Sequence, residues 1–178
     1  MYRIISFIKM KRILIVLSVL SIMACQNQVN KIPDSTTTTV SNNSSSWSGI
    51  SYKTYYNDRF GYRIDYPSVM SIKDKPGNDD GRTFLYGGLT ITVFGSYNAL
   101  FTSVQEQFIE NCKPTDTYKM VKNKWYVCSG IDSKGFVYYE KSILKNDIWY
   151  TVILEYPKSM KEELDEVVTK VVNSFKVL

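Results

Sequence analysis

The sequence predicts an α+β domain: an antiparallel β-sheet covered by helices, with an amphipathic helix at its C-terminal end. Three observations lead there. Phe60, Tyr62, Ile64 and Tyr66 alternate with Gly61, Arg63 and Asp65, the period-2 signature of a half-buried strand, and Pro67 stops the run. Three later extended runs, Tyr118 to Gly130, Phe136 to Leu144 and Ile148 to Tyr156, are joined by connections so short that neighbours must run antiparallel. Finally, Leu164, Val167, Val168, Val171, Val172 and Phe175 fall on one helical stripe. Strands, a helix, a strand meander and a last helix make an α+β sandwich.

The elements follow in order. After the Phe60–Tyr66 strand, Lys75-Pro76-Gly77-Asn78-Asp79-Asp80-Gly81 is dense in turn formers. Leu89, Ile91 and Val93 alternate with Thr90 and Thr92 as a second strand, and Gly87-Gly88 before it reads as a hairpin turn, since no helix start or Lys-Ser/Thr follows to make a phosphate loop. A short helix then places Val104, Phe108, Ile109 and Cys112 on one face, with Thr102 and Gln105 available to cap it and Pro114 to end it. In the last extended run, Tyr150, Val152, Leu154 and Tyr156 face one way and Trp149, Thr151, Ile153 and Glu155 the other. Both faces are apolar enough for a central strand. Ser159 with Glu162 is a capping box for the final helix, whose Lys161, Glu162, Glu163, Asp165, Glu166 and Lys170 form its solvated face.

The N-terminal 48 residues have a different character. Arg3, Lys9, Lys11 and Arg12 precede an apolar or small-residue run from Ile13 to Met23, which is shorter than the ~20 residues of a membrane span and suits a secretory signal. Ile22-Met23-Ala24-Cys25 resembles the lipobox of bacterial lipoproteins, with Met23 the less usual residue in it. The expectation is a signal peptide over 1–24, with lipidation at Cys25, whose thiol takes a diacylglycerol. Translation can start at Met1 or at Met10, and an uncleaved signal anchor is the alternative. From Gln26 to about Ser48 the chain is rich in Asn, Ser, Thr and Gln and reads as a flexible tether, so 25–48 is the lipidated tether and 49–178 the domain. Trp47 ends the tether and is expected to pack as the first residue of the domain, exposure for ligand stacking being the alternative. The residues after Cys25 lack the acidic run often seen in surface-displayed lipoproteins. The expected location is therefore the outer membrane facing the periplasm, with surface display the alternative.

Composition removes several function classes. The chain has no His, so Ser-His-Asp and Cys-His catalysis and His-containing zinc sites are excluded. The net charge of +5 invites a nucleic-acid reading, but Arg3, Lys9, Lys11 and Arg12 carry four of those charges, leaving the part from Cys25 onward near neutral. Cys112 and Cys128 remain once Cys25 is assigned. In an exported domain they most simply pair, stapling helix to sheet; two unpaired buried thiols are the alternative.

The string Tyr55-Tyr56-Asn57-Asp58-Arg59-Phe60-Gly61-Tyr62-Arg63-Ile64-Asp65-Tyr66-Pro67-Ser68 resembles the opening of PsbP-like domains. These are α/β/α sandwiches typified by an extrinsic photosystem subunit and a nuclear-import factor that binds a small GTPase. Asp80-Gly81-Arg82-Thr83-Phe84 and the Ser174-Phe175 helix ending are similar to pieces of the same plan. The resemblance implies the fold and carries no catalytic set.

Candidate sites are few. Asp74, Asn78, Asp79 and Asp80 could surround calcium, but without EF-hand spacing a turn is the expected reading. Asp79 and Asp80 are too close in sequence to flank a glycosidic bond. Trp125-Tyr126 and Tyr138-Tyr139 each put neighbouring aromatics on opposite faces, so one of each pair can line a groove together with Trp149. The expectation is a lipid-anchored, non-enzymatic accessory module with no cofactor, metal or nucleic acid, bound to the membrane through Cys25 and to an unidentified protein partner. A glycan- or small-ligand-binding lipoprotein using exposed aromatics is the alternative.

Overall fold

A computed structural model describes residues 47–73 and 77–178. The signal, Cys25 and the tether up to residue 46 lie outside the described residues, as does Asp74. The chain partitions into Met1–Asn42 and Asn43–Leu178, and the fold is that of the second unit. Strands β1 (Tyr52–Asn57), β2 (Tyr62–Pro67), β3 (Ser71–Lys73), β4 (Gly81–Tyr86) and β5 (Leu89–Tyr97) lead into helix α1 (Val104–Asn111). Strands β6 (Tyr118–Lys122), β7 (Trp125–Ile131), β8 (Phe136–Lys145) and β9 (Ile148–Pro157) follow, then a 3-10 turn, helix α2 (Lys161–Ser174) and the two-residue strand β10 (Lys176–Val177).

Seven strands form one sheet in the order β3-β4-β5-β9-β8-β7-β6, antiparallel throughout. β9 is therefore central, as its two apolar faces require. Tyr150, Val152, Leu154 and Tyr156 pack with Leu89, Ile91 and Val93 of β5 into the main core, which α2 closes with Leu164, Val167, Val168, Val171 and Val172. Burying each such side chain contributes about 1.5–3 kcal/mol, so this helix is held by its stripe.

Helices alone do not cover the sheet. The Tyr62–Pro67 strand pairs with β1 and β10 in a separate three-stranded sheet laid over the same core. The reason is packing: Tyr62 and Ile64 are fully buried, Tyr66 stacks on Phe84 at 4.1 Å, and Tyr62 meets Tyr150 and Phe175 edge-on. Phe60 lies in the turn before β2. Its ring sits over Gly95, where a Cβ would come within 2.5 Å of it, so β5 needs a glycine at that point. Trp47 is a core residue, so the folded chain includes at least two residues ahead of the expected boundary at 49. A bulky indole finds a buried site even when its neighbours are polar.

Other local details differ from expectation. The run Tyr118 to Gly130 is a hairpin, β6 and β7 turning at Asn123-Lys124, because two polar residues suffice for a tight turn. The cap of α1 is Ser103 with Glu106, one residue later than Thr102 with Gln105: Glu106 N–H donates to Ser103 Oγ at 3.2 Å, and Ser103 N–H donates back to Glu106 at 2.8 Å. Ile109 points outward, since the helix has only eight residues and its buried stripe is confined to Val104, Phe108 and Cys112. Helix α2 has no side-chain cap. The residues from Lys158 to Met160 form the 3-10 turn and Met160 takes the cap position, so Ser159 and Glu162 do not make a box.

Candidate functional site

The sheet's second face carries α1 and a smaller core of Val104, Tyr126, Cys128 and Trp149, with Phe108, Cys112, Val121 and Leu144 against it. Cys112 caps the helix, and the disulfide to Cys128 ties it to β7 with a Cα–Cα distance of 5.6 Å. The expected staple from helix to sheet is thus present. Asp116 lies close to both sulfurs, where it accepts from Lys113 N–H and from the Tyr138 hydroxyl.

Beside α1, a cleft of about 300 Å³ opens on this face. Its floor is the middle of β5, β9 and β8, and its wall is Gln107 and Asn111 of α1. The polar residues form a chain. Tyr126 Oη donates to Glu140 Oε1 at 2.6 Å and accepts from Asn111 Nδ2 at 2.6 Å. Ser142 Oγ lies 3.3 Å from Glu140 Oε1 and 2.8 Å from Thr151 Oγ1. Burial first, and the Glu140 charge second, push the Tyr126 phenol well above its ordinary range, so it stays a neutral donor. The arrangement holds a carboxylate in place.

The two most exposed apolar side chains among the described residues, Leu100 and Phe101, lie at the end of the sheet where β5 leaves for α1. Leu100 is 86% exposed, Phe101 82% and Tyr97 66%. This loop is built to stay in place. Asn98 is buried and spans the loop: its Oδ1 accepts from Thr102 N–H at 2.9 Å and from Thr102 Oγ1 at 3.0 Å, and its Nδ2 donates to Thr102 O at 2.9 Å. Asn98 N–H donates to Asp147 O, tying the loop to the β8–β9 turn. Phe101 sits at φ +52°, a left-handed conformation that costs a non-glycine residue roughly 1–2 kcal/mol.

The remaining candidates resolve simply. Asp80 pairs with Arg59 at 2.6 Å and Asp79 with Arg82 at 3.3 Å, while Asn78 hydrogen-bonds Asp80 and gives its carbonyl to Arg59. Guanidinium groups meet these carboxylates, so the described part of the turn is a structural clasp. Gly87-Gly88 is a hairpin turn, both residues at positive φ. Of the paired aromatics, Tyr126 and Trp149 are buried in the second core, and Trp125 and Tyr139 are half-buried on the opposite face. On that opposite face α2 stops short of β6 and β7, leaving Tyr118 and Met120 partly exposed. Sequence reasoning passed over Asn98, Leu100, Phe101, Asn111 and Glu140. An adjacent Leu-Phe pair outside any periodic run is the one signal that pointed to the loop.

No family model matches the chain, and no curated protein matches it. Among solved structures, the chain is similar to the solution structure of cyanobacterial PsbP (CyanoP) from Synechocystis. The likeness covers 72% of this chain and 94% of that one, with a TM-score of 0.55 and 14% identity. The fold is PsbP-like. A crystal structure from Bacteroides thetaiotaomicron covers 71% of this chain and 48% of its own, at 12% identity and a TM-score of 0.47. A PsbP-like fold places the two cores on the two faces of one sheet. The residues at the cleft and the loop belong to this chain and are read from its own geometry.

Proposed function

We propose that this chain is a non-enzymatic accessory module of the bacterial cell envelope, anchored by lipid on Cys25, that binds a protein partner through the Tyr97–Phe101 loop. One observation carries the reading: a loop held by buried Asn98 displays Leu100 and Phe101 almost fully to water while Phe101 takes a costly backbone conformation. Strain that persists beside exposed apolar groups is a mark of a functional surface. The periplasm-facing outer membrane is the proposed location, consistent with the lipobox and with a tether lacking early acids.

Photo-crosslinking in intact cells tests it. A crosslinker at position 101 yields a discrete protein adduct, one at Asn173 on the outer face of α2 does not, and Leu100→Ser removes the first. Adducts to lipid alone, or none, would refute the protein-partner reading. The anchor is checked separately by palmitate labelling, which is lost in Cys25→Ser.

A further inference from the structure

The α1-side cleft carries a second, independent reading. Ten residues line it, and Glu140 is the one charged group among them. No Lys or Arg contributes to its wall: Lys141, next in sequence, projects to the opposite face of β8. Three aromatic rings, Phe94, Tyr126 and Trp149, share the lining with it. Glu140 Oε1 is saturated by Tyr126, Asn111 and Ser142. Oε2 has no partner among the described residues, and it is not a buried orphan, so it is open to solvent in the cleft. The three donors fix the carboxylate by one oxygen and leave the other for something else to meet.

The geometry points to a site for a small organic ammonium ion. An uncompensated carboxylate attracts a cation by charge, and the half-buried Phe94 ring adds its quadrupole at the edge of the cleft, Tyr126 and Trp149 being buried beneath it. A compact ammonium with a short organic substituent suits a cleft of about 300 Å³, whose space is on the order of ten water volumes. A divalent metal fits less well, because it needs several oxygen ligands. The cleft has a single carboxylate, and its Ser142 and Thr151 hydroxyls are bonded to each other. The Gln107 side-chain amide, 3.1 Å from Thr102 Oγ1, stands in the wall within reach of a hydroxyl on the ligand.

The test uses the full-length chain with choline and its neutral carbon isostere, 3,3-dimethyl-1-butanol. Binding is followed by NMR at the side-chain amides of Gln107 and Asn111. Choline should shift both saturably, and the isostere should bind at least about tenfold more weakly. Glu140→Gln should reduce choline to the isostere's level. Because Glu140 anchors Tyr126 and Asn111, Ser96→Lys serves as a second variant. It supplies an internal ammonium at a half-exposed position of the lining, and it should also abolish choline binding. Equal binding of the two probes, choline binding unchanged by both variants, or no shift at either amide would overturn the assignment.

Discussion

Replacing Cys112 and Cys128 together by alanine removes a bridge that closes a loop across a sequence separation of 16. In the chain-entropy account a loop of this length contributes about 3 kcal/mol by restricting the unfolded chain. Alanine is the right replacement because Cys128 is fully buried among Val104, Tyr126 and Trp149, where a serine hydroxyl would add its own desolvation cost. Losing the sulfur packing adds ~1 kcal/mol, for a total near 4 kcal/mol. The two parts separate in urea unfolding with and without reductant: reductant lowers wild-type stability by about 3 kcal/mol and leaves the double variant unchanged. The loss should begin locally. Helix α1 has eight residues, too few to persist alone, and its C-terminal end is held by the bridge. Hydrogen exchange over Val104–Asn111 should therefore accelerate on reduction far more than over β9. An unchanged urea midpoint under reductant, with two alkylatable thiols in the native protein, would show that the staple does not form.

Four further outcomes are expected. Phe101→Gly should raise the unfolding free energy by up to ~1 kcal/mol, and the denaturant midpoint with it, since it relieves a left-handed residue with little buried area to lose; a lower midpoint would mean that Phe101 is packed. Asn98→Ala should cost about 2–3 kcal/mol by removing three hydrogen bonds at a buried position, and should loosen residues 98–102 in NMR relaxation. Gly95→Ala should cost roughly 1–3 kcal/mol by driving a methyl group into the Phe60 ring, and Phe60→Leu should recover part of it; additive losses would argue against the contact. Burial raises the phenol pKa of Tyr62 and Tyr126 above the ordinary 10.0. The folded state therefore keeps protons that the unfolded chain releases, so their stabilisation is complete below pH 10.0 and is lost as pH climbs beyond it. Alkaline unfolding should then coincide with the appearance of tyrosinate absorbance from these residues, and titration ahead of unfolding would contradict it.

Local physics wrote part of this structure into the chain. Alternation at Tyr62 and Ile64 shows a half-buried strand because side chains on a strand alternate by geometry. The stripe from Leu164 to Phe175 announces α2 for the same kind of reason, and β9 is legible as central because both its faces are apolar. Cap positions were less legible. Ser and Thr stand side by side at 102 and 103, each with a Gln or Glu three residues on, and the choice between them depends on how the preceding loop docks. Partnership between sheets was not legible either, since a half-buried strand reads the same in a three-stranded sheet as in a seven-stranded one.

The sequence by itself determined the fold class, the central strand and the amphipathic last helix, all set by periodicities and compositions within short windows, and left the pairing of Cys112 with Cys128 as one of two choices. It also holds Ile22-Met23-Ala24-Cys25, which resembles a lipobox, a kind of signal read as a linear string. Only the tertiary structure decided which residues could do something. Asn111, Tyr126 and Glu140 lie on three different elements and meet because α1 folds back over β7 and β8. The exposure of Leu100 and Phe101 depends on a buried Asn98 and on the neighbouring β8–β9 turn. Both features are long-range contacts or the lack of them, and no local pattern encodes what a residue will fail to be covered by.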